Sequence, residues 1–372
     1  MSYVKFTPVV SLLLLMATQV VAVNIEEPLP DQNQNIIVED VDVLALNSEI
    51  KTLLDEKIKV LPSKRQRLLA LHTLLYDPAQ YNIRYNAYFT ASAIETFYNG
   101  SGNCISLANL FIATARYVGI RARYQTVNLE RQWRRRDGFY EVPGHVNVVV
   151  SLPRAKVLVE FNQAYFDQIG DSKVVSKMIT DAQAKAEYYN NLGVAYLNQK
   201  KYSMAVAYFK KSIKTHKKLD FVWSNLGVAY KRLGDFKAAE EAYLAALKYN
   251  SKNRSAIGNI YILYSELGDE TKSQAYAKRA EKYARKNPYY LEKLANTELE
   301  AKRYDKAVAL FKAAIKIHKL EPDFYHGLAV AYYYENDIEN SKKALRKSME
   351  LAESEEYKLR YQRKLNALAG AH

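Results

Sequence analysis

The chain has 372 residues, a formal net charge of +14 and a single cysteine. Its length suits two domains, one cysteine excludes an internal disulfide framework, and the histidines show no metal-ligand pairing. Neither a phosphate-cradling glycine loop nor a dinucleotide fingerprint is present, so nucleotide and metal cofactors are not expected.

In chain order, residues 1–22 place Lys5 ahead of an apolar stretch from Val9 to Val21, with small residues at Val20-Val21-Ala22. This reads as a secretory signal peptide cut after Ala22. An uncleaved membrane anchor is the alternative, although the run is short for a span. No cysteine lies near the cut, which argues against a lipoprotein, so the expected location is a bacterial periplasm. Residues 23–46, with Pro28, Pro30 and a Gln/Asn-rich patch, read as a flexible lead-in. A helical stretch follows with Leu68, Leu69, Leu71, Leu74 and Leu75, and His72 within it reads as structural.

Cys104 follows Gly100, Gly102 and Asn103 and opens a run with apolar residues at Leu107, Leu110, Phe111, Ala115 and Val118. That spacing predicts a helix, which Gly119 ends. A thiol in the first helical turn sits at the positive end of the helix dipole, which favours thiolate. A short strand from Arg121 to Val127 comes next, then a polar loop with Trp133 and Arg134-Arg135-Arg136. The loop arginines read equally as a lip of the site or as a solvated turn. His145 then opens a valine-rich strand, and Val157 to Asn162 form another. Helix-borne Cys, strand-borne His, then a carboxylate or amide is the order of Cys-His-Asp/Asn nucleophilic catalysis.

With those residues in place, the segment from about 50 to 170 resembles the transglutaminase-like branch of the papain-like cysteine superfamily. The matching pieces are Ala93-Ile94-Glu95-Thr96-Phe97, Gly102-Asn103-Cys104, Leu110-Phe111 with Ala115-Arg116, and Gly119 to Tyr124. His145 with its valine run and Val159-Glu160 complete them. The resemblance implies Cys104 as nucleophile, His145 as general base, and Glu160 as the third member, with Asn162 on the same strand face as its alternate. It also implies thiolate attack on an amide or ester carbonyl, with hydrolysis favoured over cross-linking. Asn147 stands where the family carries tryptophan after the histidine, and the family's final-strand tryptophan is missing.

From residue 186 a pattern recurs every 34 residues. Its anchors are Leu192, Leu226, Ile260, Leu294 and Leu328, and small residues follow at Ala205, Ala239, Ser273, Ala307 and Ser341. A second small position holds Ser212, Ala246, Ala280, Ala314 and Ser348. Between them stand Phe209, Tyr243, Ala277, Phe311 and Leu345. This resembles the tetratricopeptide repeat, whose helix pairs approach closely through small side chains. Glu298 replaces the tyrosine that the other repeats hold at Tyr196, Tyr230, Tyr264 and Tyr332, so the array is expected to be less regular toward its C-terminal half. Residues 355–370 supply a polar capping helix.

The resulting fold class is an α+β papain/transglutaminase-like domain over 47–172, a connector over 173–185, and an all-α tetratricopeptide-repeat solenoid over 186–354 with a cap over 355–372. In the register of such repeats the peptide-binding face includes Asn190, Asn225, Lys231, Arg232, Asn259 and Tyr333. The alternative for each is plain repeat consensus. From residue 181 on, about 35 Lys and Arg stand against about 23 Asp and Glu. A basic solenoid suits an acidic peptide or protein partner or an anionic membrane surface; nucleic acid is not expected behind a signal peptide. The sequence therefore points to an exported cysteine hydrolase of peptidase or amidase type with a protein-binding module. A non-catalytic periplasmic scaffold, or an envelope-assembly adaptor at a membrane surface, stays open beside it.

Overall fold

The computed structural model describes residues 36–128, 134–136, 139–141, 145–162, 175–284, 288–352 and 354–369. The signal segment 1–22, most of the lead-in and Trp133 lie outside the described residues.

Helix α1 (Ser48–Leu54) starts on Asn47, whose side chain accepts from the Ile50 N–H at 3.0 Å, and runs on into a wider π-turn over Asp55–Lys59. Helices α2 (Lys64–Tyr76) and α3 (Ala93–Asn99) each open with a capping box, Ser63 with Gln66 and Ser92 with Glu95. Short parallel strands β1 (Arg84–Tyr85) and β2 (Ser101–Gly102) bring the chain to α4 (Cys104–Tyr117). Residues 105–115 of α4 are all buried, so this helix is the centre of the first domain and not a surface helix.

Against α4 lies an antiparallel sheet of β3 (Arg121–Asn128), β6 (His145–Leu152), β7 (Ala155–Val159) and β8 (Val175–Met178), in the order β7-β6-β3-β8. Val146, Val148 and Val150 are buried in the same cluster as Leu107, Leu110 and Phe111 of α4. Tyr124 of β3 donates from its hydroxyl to Asn109 Oδ1 of α4 at 2.7 Å, which ties sheet to helix. The polar loop expected between β3 and β6 contains a hairpin, β4 (Arg134–Arg136) with β5 (Phe139–Glu141). The last expected strand is shorter than its apolar pattern suggests: β7 ends at Val159, and Glu160 and Asn162 fall beyond it.

Two boundaries differ from the sequence reading. The supposed connector is structural: β8 is an edge strand of the sheet, and α5 (Asp181–Asn198) begins the first repeat within it. Ala184, Tyr188 and Tyr189 of α5 share one buried cluster with α4 and the sheet, so the core runs across the domain boundary. Arg116 of α4 makes a two-pronged ion pair with Asp181, at 2.5 and 2.9 Å. Residues 36–46 are likewise docked and do not run as a free lead-in. Val43 is buried, Asp40 bridges Lys185 and Lys211 at 2.8 and 3.0 Å, and the Tyr189 hydroxyl accepts from the Val41 N–H at 2.8 Å. Contacts between residues some 145 positions apart hold this segment, which local composition cannot reveal.

Five helix pairs follow, α5 with α6 (Tyr202–Thr215), α7 (Asp220–Arg232) with α8 (Phe236–Tyr249), α9 (Arg254–Glu266) with α10 (Glu270–Ala284), α11 (Pro288–Glu300) with α12 (Tyr304–Ile317), and α13 (Pro322–Tyr334) with α14 (Ile338–Leu351). Helix α15 (Glu355–Ala369) caps them. The small positions are where helices meet. A Cβ on Gly227 would lie 2.5 Å from the Tyr243 ring, a distance real Cβ atoms do not tolerate. Serine replaces alanine where its hydroxyl can bond across the pair: Ser212 donates to the Ala186 carbonyl at 2.6 Å and Ser341 to that of Ala329 at 2.8 Å. The irregularity falls at the third repeat and not through the whole C-terminal half. Among the described residues no buried cluster joins α10 to α11, and Ala277 leaves α10 without the large side chain that the other repeats bury at Phe209, Tyr243, Phe311 and Leu345, whereas α11 to α15 share a continuous cluster. No helix among the described residues is long and apolar enough to cross a membrane.

Candidate active site

The turn before α4 is built from side chains that cap and wedge it. Asn103 is the N-cap: its Oδ1 accepts from the Ser106 N–H at 3.1 Å and the Ser106 hydroxyl at 2.9 Å, while its Nδ2 donates to Thr90 Oγ1 at 2.7 Å. The Asn103 N–H donates to the Phe89 carbonyl at 2.8 Å, and the Ala91 N–H to the Ser106 hydroxyl at 2.8 Å. Gly102 is obligatory here because a Cβ would sit 2.6 Å from Ser106 Cβ and 3.2 Å from Thr96 Cγ2. Cys104 therefore enters at the first helical position, half-buried and free of disulfide. The N–H groups of Cys104 and Ile105 have no intrahelical acceptor at that place in a helix.

His145 opens β6, paired with Val127 of β3, and its side chain is 1% exposed. Its Nε2 lies 2.6 Å from Glu160 Oε2, which leaves Nδ1 for the Cys104 thiol, with which the ring makes a side-chain hydrogen bond. Burial works against the imidazolium, but hydrogen bonding to Cys104 and to Glu160, reinforced by their charges, outweighs it and carries the pKa up to about 9. At neutral pH the ring is thus a cation between the Cys104 side chain and the Glu160 side chain.

Glu160 is 3% exposed, and four donors converge on its carboxylate. Oε2 takes His145 and, at 3.3 Å, Asn147 Nδ2; Oε1 takes the backbone N–H of Phe161 at 2.9 Å and of Asn162 at 3.1 Å. Of the two sequence candidates for third member, Glu160 is the one against the imidazole, and Asn162 helps to hold it through its backbone. Asn147, noticed in the sequence only as a departure from pattern, is fully buried and braces Glu160. Its Oδ1 has no partner among the described residues. Its place two residues beyond His145 on one strand was the available clue.

The expected repeat face is assembled differently from a row of free side chains. Asn225 donates to Asn190 Oδ1 at 2.9 Å, linking the first two repeats, and Asn190 is buried. The Lys231 ammonium meets Glu266 of the third repeat at 2.6 Å, so the acidic group it faces is internal. Arg232 is exposed, Asn259 is half-buried, and Tyr333 is exposed with its ring edge-on to Tyr334 at 5.6 Å. Arg134–Arg136 form β4. His72, on α2, packs its ring 5.2 Å from that of Tyr76. No group of three or more metal-binding side chains is found among the described residues.

Residues 51–190 match the model of the transglutaminase-like superfamily. Tetratricopeptide-repeat models match residues 186–218, 221–253, 262–322 and 322–355. No curated protein matches the chain. Among solved structures, PilF of Pseudomonas aeruginosa is similar at 17% identity and TM-score 0.40, over 51% of this chain and 86% of that one. YrrB, described as a TPR protein with an unusual peptide-binding site, is similar at 16% identity and TM-score 0.31, over 48% of this chain and 92% of that one. A thermophilic TPR protein of Thermus thermophilus is similar at 17% identity and TM-score 0.35, over 48% of this chain and 98% of that one.

Proposed function

Given a chain that joins a transglutaminase-like core to an array of tetratricopeptide repeats, we propose that it is a cysteine hydrolase of peptidase or amidase type. The observation that carries this reading is the imidazole of His145 held between the Cys104 thiol and the Glu160 carboxylate, cationic at neutral pH. A cation beside the thiol favours thiolate, the attacking species.

In the proposed reaction Cys104 Sγ attacks the substrate carbonyl carbon, and the C=O pair moves onto oxygen. The N–H groups at the start of α4 receive that oxyanion. His145 gives its proton to the departing amine as the C–N bond breaks, leaving a thioester on Cys104. Water then attacks the thioester, giving one proton to His145, and the carboxylic acid leaves as the C–S bond breaks and the thiolate is restored beside the protonated ring. Glu160, 2.6 Å from the ring's Nε2, fixes its tautomer and orientation. The repeats are proposed to hold a protein or peptide substrate or partner. Their excess of Lys and Arg supports an acidic one, and contact with an anionic membrane surface is the lesser alternative. Export to the periplasm is proposed from residues 1–22, and N-terminal sequencing of the secreted chain tests cleavage after Ala22.

The test is a trap of the acyl intermediate. Incubation with an activated p-nitrophenyl ester, followed by mass spectrometry, is expected to place the acyl group on Cys104, and Cys104→Ser is expected to slow its release. Absence of any adduct, with hydrolysis equal in wild type and variant, sinks the reading and favours a scaffold whose front domain only binds.

A further inference from the structure

Helix α15 covers the last repeat with one stripe of side chains. Tyr361 and Leu365, one turn apart, pack into the cluster that holds Leu328, Ala344 and Leu345. Lys364, three residues after Tyr361, falls on the same stripe and is half-buried. Its Nζ lies 2.5 Å from Nε2 of His326 on α13, so two basic groups meet across the joint between cap and repeats. Whichever nitrogen donates, that bond exists only while the pair carries no more than one positive charge. A second proton removes the acceptor and sets cation against cation in a half-buried place.

The surroundings do not offset such a charge. From α15, Arg360 adds a further positive charge, and the Tyr361 ring stands 5.3 Å from the imidazole. On α13 itself, Asp323, one turn before His326, accepts from the Tyr361 hydroxyl at 3.3 Å. From α14, Ser348 sends its hydroxyl to the Pro322 carbonyl at 2.9 Å. Helix α11 brings Tyr289, bonded to Glu321 at 2.7 Å, and the buried Glu292; α12 brings Lys312, over the Tyr332 ring at 5.3 Å. The charges that act on the imidazole are those of Lys364 and Arg360. Together with burial, the larger cause, they hold its pKa down to about 4. Burial and Arg360 likewise lower that of Lys364.

We propose that α15 is a pH-gated cap, docked while the Lys364–His326 pair carries a single charge and released from α13 when the second proton arrives. Release strips Tyr361 and Leu365 from the end of the repeat stack. This device belongs to the repeats and stands without the hydrolase reading. The docked imidazole resists protonation down to about pH 4, whereas in a released cap it titrates near its ordinary 6.5. Acid between those values therefore favours release, by about fifty-fold over the range from roughly pH 7 to roughly pH 4.5.

Hydrogen exchange of the full chain, read by mass spectrometry and corrected for its intrinsic pH dependence, is the test. The amides of α15 are expected to show that rise in opening, with those of α7 and α8 moving far less. His326→Gln keeps an acceptor that does not titrate and is expected to erase the rise. Lys364→Met removes the facing charge and is expected to shrink it. Equal opening of α15 at both pH values in wild type overturns the proposal. So does a rise that persists in His326→Gln, which would assign the slope to another group such as Glu292 or Asp323. If His326→Gln fails to fold, wild type against Lys364→Met still decides, since an unchanged rise in that variant overturns the proposal too.

Discussion

Glu160→Gln is the sharpest test of how the site is held. All four donors on this carboxylate point at oxygen. A carboxamide has one oxygen, so its NH₂ must face either His145 and Asn147 or the two backbone N–H groups. Each choice sets donor against donor in a place that is 3% exposed. Breaking one member of a buried ion pair costs about 3–5 kcal/mol, and we expect a loss of about 3 kcal/mol. The pH dependence has a definite sign. The folded-state pKa of His145 is raised from 6.5 to about 9, so its contribution to stability is complete below 6.5 and is lost as pH rises through 9. The gap between wild type and Glu160→Gln is therefore widest near pH 6 and narrows above pH 9. Urea unfolding followed by circular dichroism at both ends of that window measures it. Equal stability of wild type and Glu160→Gln across that window would refute this account of the site.

Three further outcomes follow from packing and burial. Gly102→Ala drives a Cβ to 2.6 Å from Ser106 Cβ and is expected to cost about 1–3 kcal/mol in urea unfolding, with slower labelling of Cys104 as the turn shifts. Gly227→Ala meets the Tyr243 ring at 2.5 Å and is expected to cost a similar amount, about 1–3 kcal/mol, seen as faster amide exchange in α7 and α8 and not in α4. Burial raises the Glu187 carboxyl from 4.5 to about 7, against the opposing hydrogen bond from Gln183. The unfolded chain thus releases this proton first, and stability falls as pH rises from 4.5 through 7. Glu187→Gln is expected to flatten that slope, as urea midpoints at about pH 5 and about pH 8 would record.

What the sequence made legible was whatever repeats or follows chain order. The 34-residue period is visible because each copy needs small residues at the same two contacts, and the helix pairs meet where those residues stand. Cys104 and His145 are readable because glycine-asparagine punctuation and a valine-rich run announce a helix start and a strand start. Glu160 was found by pattern but placed on a strand, whereas its own carboxylate folds the chain out of β7 by capturing the N–H groups of Phe161 and Asn162. Alternation of side chains carries no mark of that turn. Strand β8 was missed because an edge strand of four residues has too little pattern, and the docking of residues 36–46 because its partners, Lys185, Tyr189 and Lys211, are distant in sequence. Asn147 was legible as a substitution but not as a brace, since its partner depends on where β7 ends.

The central claim is that Cys104 and His145 form a poised pair. The measurement that tests it most directly is the pH dependence of iodoacetamide alkylation of the single cysteine in the folded protein, in wild type and in His145→Ala. The account predicts rapid labelling well below the ordinary thiol pKa of about 8.5 in wild type, lost without the histidine. Labelling that rises only near that value, identically in both proteins, would contradict it and make Cys104 a packing residue.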